Sequence, residues 1–210
     1  MSKGVLTVVS GFSGAGKGTV MKRLIQKYDD YALSISVTTR TPREGERDGI
    51  EYFFKTKEEV ESMIENDEFL EYARYVDNYY GTPRFYVEEM LAKGKNVILE
   101  IEIQGAMQIK AKNPEAVLVF VTPPSFEELR NRLVGRGTET ADVIESRLRR
   151  ASEEAEGMSS YDYILVNDQV EDCVDRLHQI ILSERAKAQR NEEFINTIQQ
   201  EARIFMKGDK

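Results

Sequence analysis

The chain of 210 residues has one cysteine, one histidine and no tryptophan. A lone Cys173 excludes an intramolecular disulfide and any thiolate metal cluster. It stands in Val170-Glu171-Asp172-Cys173-Val174 with no imidazole nearby, so a packing or surface thiol is expected rather than a nucleophile. His178 cannot form a histidine metal site alone and is read as a solvated helix position. No apolar run approaches the ~18 residues that cross a bilayer, and the longest candidate, Val117 to Val121, reads as a buried strand. The run Val5 to Val9 is too short for a signal h-region and has no small-residue cleavage pattern after it, so a cytoplasmic location and no membrane partner are expected. Repeats, low-complexity tracts and Ser/Pro-rich linkers are missing too. With 37 acidic and 29 basic residues the net charge is −8, which argues against a nucleic-acid footprint. Arginine clusters in so acidic a chain call for a local explanation.

Short apolar runs at Val5–Val9, Val97–Leu99, Val117–Val121 and Tyr163–Val166 alternate with helical stretches near 17–28, 105–112 and 126–133. That alternation predicts an α/β fold of right-handed βαβ units around a parallel sheet. Residues from about Val37 to Pro83 break the rhythm. Aromatic-rich short strands and a helix near 57–66 predict a small, partly solvated α+β insertion. A second polar insert, about 125–156, carries many arginines and Gly135-Arg136-Gly137. From Val170 to about Met206 one long amphipathic helical region is expected, packing onto the sheet and leaving homo-oligomerisation open.

Gly11-Phe12-Ser13-Gly14-Ala15-Gly16-Lys17-Gly18-Thr19 follows the first strand and opens a helix, the context a Walker A phosphate loop needs. Its glycines permit φ > 0 and bare N–H groups around phosphate oxygens, the helix N-terminus adds its dipole, and Lys17 brings a point charge to the β/γ-phosphates. Gly18 stands where a Ser or Thr usually holds Mg²⁺, so that ion should depend more on water and substrate phosphates. Thr19 is a candidate α-phosphate contact. This loop identifies ATP as donor and leaves the acceptor open.

On the acceptor side, Ser36-Val37-Thr38-Thr39-Arg40-Thr41-Pro42-Arg43-Glu44-Gly45-Glu46 sets two arginines three residues apart on a loop stiffened by Pro42. Guanidinium forks bind phosphate in a bidentate way, so Arg40 and Arg43 can clamp an acceptor phosphate, and a solvated basic loop is the competing reading. Tyr52 and Tyr80 can donate hydroxyls to the same phosphate or simply pack. Glu71 lies in an apolar-aromatic stretch, where a buried carboxylate needs donors. A guanine edge supplies adjacent N–H and NH₂ groups and an adenine edge does not; a surface-facing strand position is the alternative.

Taken in order, GFSGAGKGT, SVTTRTPREGE, GIEYFF, FLEYA, NYYGT, ILEIEIQGA, RLVGRGTET and a late VND resemble the guanylate kinases over most of the chain, from the loop to about Asp168. The resemblance implies a P-loop core with a five-stranded parallel sheet (1–36, 84–125 and 157–210), a GMP-binding insertion (37–83) and a helical lid (126–156). It implies reversible, Mg²⁺-dependent transfer of the ATP γ-phosphoryl group to GMP, and to dGMP, in purine nucleotide metabolism and GMP recycling. Carried over by position, Ser36, Glu71 and Thr82, with Gly81 beside them, would recognise guanine, while Arg40, Arg43, Tyr52 and Tyr80 hold the GMP phosphate. Arg136 and Arg147 would neutralise the migrating group together with Lys17 and Arg40. Arg132 and Asn167 would join Gly11, Ser13, Gly14, Ala15, Gly16, Gly18 and Thr19 around ATP. Glu100 and Glu102 stand where the family often has Asp; they are expected at the guanine and phosphate end, and Glu100 could reach Mg²⁺ through water, no direct metal ligand being assigned. Phe12 replaces a common proline, a change expected to alter loop stiffness. The neighbours Arg149 and Arg150 are read as surface charges. Two other readings stay open from the residues: a P-loop kinase for AMP, dTMP or a small metabolite, and a peptide-binding module that keeps the fold without catalysis.

Overall fold

The computed structural model describes residues 3–135, 137 and 140–208, with side chains described through residue 206. Its centre is strand β1 (Leu6–Gly11), in which Val8 and Val9 are fully buried. A strand apolar on both faces needs cover on both sides. Parallel neighbours β7 (Asn96–Glu100) and β8 (Val117–Thr122) flank it, and β2 (Tyr31–Leu33) and β9 (Tyr163–Val166) extend the all-parallel sheet to the order β2-β7-β1-β8-β9. Helices α1 (Lys17–Lys27), α3 (Arg84–Ala92), α4 (Ile103–Lys112) and α7 (Val170–Arg185) pack around this sheet. The order reverses direction at β1, which opens a crevice beyond the carboxyl ends of the strands, where α/β sheets hold ligands.

Three local expectations change in the folded chain. Phe12 is buried and meets Phe120 and Phe126 edge-on, at ring separations of 5.0 and 6.4 Å. It anchors the loop by apolar burial as well as backbone conformation. His178 is no solvated position: its ring stacks on Tyr28 at 3.7 Å, and Nδ1 lies 2.7 Å from the Tyr31 hydroxyl. The C-terminal region is two helices, α7 and α8 (Glu192–Gly208), separated by the single-turn helix Ala188–Arg190. The Asn191 amide donates to the carbonyls of Arg185 and Lys187, both at 2.9 Å, and so satisfies acceptors that a continuous helix would have used.

A second, mixed sheet lies within residues 37–83. Strands β3 (Val37–Thr38), β4 (Phe53–Phe54), β5 (Phe69–Tyr75) and β6 (Asn78–Pro83) are ordered β4-β3-β6-β5, and helix α2 (Lys57–Glu65) covers them. A capping box starts α2: Thr56 Oγ1 accepts from the Glu59 N–H and the Glu59 carboxylate accepts from the Thr56 N–H. Val37, Val60 and Phe69 form a small core separate from the main one. Helices α5 (Phe126–Gly135) and α6 (Ala141–Glu156) follow β8.

Candidate active site

The phosphate loop joins β1 to α1, and its shape is enforced from outside as well as by its glycines. Gly11, Gly14 and Gly16 have φ of 147°, 94° and 90°. A Cβ on Gly11 would sit 2.1 Å from the Val121 carbonyl oxygen, and one on Gly16 2.5 Å from Asn167 Nδ2. Asn167 donates from Nδ2 to the Ala15 carbonyl at 2.7 Å, and its own backbone carbonyl accepts from Arg132 Nη2 at 3.0 Å. Glu128 fixes the same guanidinium at 2.7 Å. Arg132 and Asn167 thus form a chain of hydrogen bonds from α5 to the loop, so both lie against the predicted donor site. Arg147 on α6 donates to Ser13 Oγ at 3.2 Å. Arg136, predicted beside it, lies outside the described residues.

Lys17 Nζ folds back onto the loop, donating to the carbonyls of Gly11 (2.7 Å) and Phe12 (3.2 Å). Burial pulls its pKa below the ordinary lysine range, while Glu100, Glu102 and Glu154 pull it up. An ammonium in this position gains from an arriving polyanion. Gly18 faces Glu100, whose Oε2 lies 3.8 Å from where a Cβ on residue 18 would be. Glu100 reaches solvent, yet desolvation still holds its carboxyl above the usual range, with Lys17 opposing. Among the described residues no cluster of three or more His, Cys, Asp or Glu side chains is poised to hold a metal. One carboxylate beside a phosphate loop fits Mg²⁺, which keeps waters and is usually bound through one or two carboxylates and substrate phosphates.

Across the crevice, β5 and β6 pair Glu71 with Thr82. Glu71 is 8% exposed and Thr82 fully buried, and Thr82 Oγ1 donates to Glu71 Oε1 at 2.6 Å. Burial raises the Glu71 pKa, and the Thr82 hydroxyl and backbone N–H lower it in part. Glu71 Oε2 faces Gly105 on α4, 3.1 Å from where a Cβ would sit. Ser36 and Thr82 also line a cavity of about 130 Å³, with Ser34, Glu100, Leu33 and Ile101 among its other walls. Gly81 pairs with Val37 and Tyr72, and a Cβ there would come within 2.8 Å of the Phe69 ring.

The arginine loop lies on the same small sheet. Arg40 donates from Nη1 and Nη2 to both Glu46 oxygens, each at 2.9 Å, and from Nη1 to the Thr41 carbonyl at 2.8 Å. Its guanidinium lies 5.3 Å from the Tyr52 ring centre and 5.9 Å from that of Phe54, and Tyr52 meets Tyr80 edge-on at 6.3 Å. The Arg43 N–H donates to Glu46 Oε2 at 2.7 Å. Arg40, Tyr52 and Tyr80 therefore gather at one place, with the backbone of Arg43 held beside them through Glu46. Glu46, not anticipated as a site residue, ties the two arginines together; an acid six residues after Arg40 was its only sequence signal. Gly105 was missed too, though a glycine inside a helix usually marks a close approach. Arg150 is exposed, as its sequence suggests, and at the surface it bridges Glu102 (2.5 Å) and Glu154 (2.9 Å), linking α6 to the residue that precedes α4. Glu102 is thereby turned toward α6.

The guanylate kinase family model matches residues 3–184. A guanylate kinase of Bacillus cereus is 56% identical over 189 residues, covering 90% of this chain and 92% of that protein. One from Oceanobacillus iheyensis is 54% identical over 188 residues, covering 90% and 91%. The crystal structure of guanylate kinase from Anaplasma phagocytophilum superposes with a TM-score of 0.69 at 35% identity, covering 90% of each chain. With a phosphate loop on one side of the crevice, a buried carboxylate and an arginine-bearing loop on the other, and these likenesses over about nine-tenths of its length, the chain belongs to the guanylate kinase family.

Proposed function

We propose that the chain transfers the γ-phosphoryl group of ATP reversibly to GMP, giving ADP and GDP, and that it also accepts dGMP. The observation that carries the choice of acceptor is the buried Glu71–Thr82 pair. Glu71 Oε1 already holds one hydroxyl donor, and its second oxygen faces the gap kept open by Gly105. A guanine edge brings two adjacent N–H donors to a carboxylate, whereas adenine would bring a ring-nitrogen acceptor against it. Ser36 supplies a further hydroxyl on the wall of the cavity that it shares with Thr82.

Phosphoryl transfer asks for alignment and charge neutralisation rather than a covalent catalyst. Arg40, Arg43, Tyr52 and Tyr80 fix the acceptor phosphate, and one of its oxygens, already ionised at neutral pH, attacks the γ-phosphorus in line. Lys17 exchanges its two loop carbonyls for β/γ-phosphate oxygens. Arg147 stands across the loop at Ser13 and neutralises charge on the migrating group. Asn167 and Arg132 hold the loop in register. Glu100 would hold a water of the Mg²⁺ that accompanies ATP, and that ion would supply further charge neutralisation at the phosphates. The decisive measurement is a coupled ADP assay with ATP, Mg²⁺ and a panel of GMP, dGMP, AMP, dTMP and UMP. GMP should exceed AMP by about 10²-fold or more in kcat/KM; equal turnover of AMP would remove Glu71 and Thr82 from their proposed role.

A further inference from the structure

Helix α6 is strongly polar: of its 16 residues only Ala151 is buried. Ile144, Leu148 and Ala155 are half-buried against the main core. Its main packing partners among the described residues are α5 and the single turn Met158–Ser160, its neighbours along the chain. So little apolar burial leaves the pose of α6 over the crevice to polar contacts. Arg147, Arg150 and Glu154 are spaced i, i+3 and i+7, which puts them within about 60° on one face. Arg147 meets Ser13 of the phosphate loop. One turn on, Arg150 donates from Nη2 to Glu102, the residue before α4, and from Nε to Glu154. The Glu154 side chain is only 16% exposed, and burial raises its pKa against the pull of Arg150. Glu102 and Glu154 also act on the Lys17 ammonium, with Arg150 opposing them, so the three residues border the donor loop.

We propose that Arg150 is a positioning residue: held between Glu102 and Glu154, it fixes α6 so that Arg147 faces the migrating phosphoryl group. This rests on the ATP-to-GMP transfer proposed above and on the part given there to Arg147. Two nitrogens of one guanidinium reach carboxylates on different parts of the chain, so they set both the distance and the rotation of α6. Arg147 lies only about 4.5 Å back along the helix axis, too near the tether to move independently of it. At the outer radius of a helix, about 5–6 Å, a rotation of about 10° shifts a side-chain end by about 1 Å. A shift of about 1 Å can cost about 10²-fold in rate. An exposed ion pair adds little to stability, so the effect of Arg150 belongs in kcat rather than in the melting temperature. The competing role is charge balance alone, with Arg150 offsetting Glu102 and Glu154 beside the incoming polyphosphate. That role would appear in KM for ATP.

Steady-state kinetics of Arg147→Ala, Arg150→Met and the double variant test this, since methionine keeps an apolar stem and removes both donors. Arg147→Ala should lower kcat by about 10²-fold or more. Arg150→Met should lower kcat by about tenfold, with KM for ATP and for GMP within about twofold of wild type. Arg150→Lys, which restores the charge between the two carboxylates, should recover most of that loss. The double variant should be no slower than Arg147→Ala, because Arg150 then has nothing to position. The melting temperature of Arg150→Met should stay within about 4 °C of wild type. Losses that multiply in the double variant overturn the proposal, as does a wild-type kcat in Arg150→Met. A raised KM for ATP with unchanged kcat overturns it in favour of charge balance. Failure of the underlying reading looks different: wild type that does not phosphorylate GMP removes the reaction, and Arg147→Ala with wild-type kcat removes the part of Arg147. Either result takes the role of Arg150 with it.

Discussion

Glu71 sits in conflict with its surroundings until a substrate arrives. Burial raises its pKa, and only Thr82 offsets part of the cost. For a carboxyl whose folded pKa is raised, the stabilising contribution is complete below its unfolded pKa and is lost as pH rises through the folded pKa. The substrate-free protein should thus pay for an ionised Glu71 at neutral pH and recover that loss in acid. Glu71→Gln should accordingly raise the melting temperature near pH 8, with the advantage shrinking toward about pH 4.5. The same variant should lower kcat/KM for GMP by about 10²-fold, since an amide reproduces only half of a two-acceptor contact. Thermal melts across pH, set beside acceptor kinetics, check both halves, and a variant less stable than wild type at pH 8 would contradict the first. Lys17 presents the mirror case, a buried cation whose best partners are its own loop carbonyls. Lys17→Ala should reduce kcat by about 10²–10³-fold, the scale for removing one charge-stabilising donor. Single-turnover ATP–GMP kinetics would show it.

Within elements, the glycines divide into those that shape a backbone and those that make room for a side chain. Gly11 shapes: a methyl group there collides with the Val121 carbonyl of the neighbouring central strand, in a backbone region that L residues avoid. Gly11→Ala should destabilise the chain by about 3 kcal/mol or more, measured by denaturant unfolding. Gly105 makes room: alanine would favour helix α4 by about 1 kcal/mol yet crowd Glu71 Oε2 and Ile101. Gly105→Ala should raise KM for GMP about tenfold while leaving KM for ATP unchanged. What the sequence made legible follows the same division. Strands such as Val117–Val121 and the phosphate loop announce themselves through short-range apolar runs and backbone chemistry. Strand β2 is three residues long, and α3 begins directly after Pro83 without a side-chain cap, so neither leaves a strong local signal. The break between α7 and α8 depends on Asn191 reaching back to Arg185 and Lys187, a contact that amphipathic periodicity does not encode.

For the whole molecule, the site is spread over two sheets and the helices after β8, so its assembly lies in long-range pairings. Single residues such as Lys17, Arg40 and Glu71 were readable because their chemistry is unusual for their local sequence. Their supports were not: Glu46 under Arg40, Glu128 against Arg132 and Arg150 across Glu102 and Glu154 were given no part in the site by the sequence. A site divided in this way links ligand binding to the stability of the whole chain. In the proposed reaction donor and acceptor contact different parts, the loop after β1 on one side and the small sheet on the other. A ligand that joins both halves is held only when both are folded and correctly placed. A ligand at about 100 times its Kd adds about 2.7 kcal/mol, and each kcal/mol shifts the melting temperature of a chain of this size by about 2–4 °C. A bisubstrate compound linking adenosine to guanosine through phosphates should therefore raise the melting temperature by about 5–11 °C at that saturation. Replacing its guanosine end by adenosine should weaken binding through Glu71, so that at equal concentration the shift falls toward that given by ATP alone. Differential scanning calorimetry of both compounds with wild type and Glu71→Gln checks this, because the difference between the compounds should collapse in the variant. If the guanosine compound keeps its full advantage in Glu71→Gln, recognition of the base lies elsewhere in the crevice.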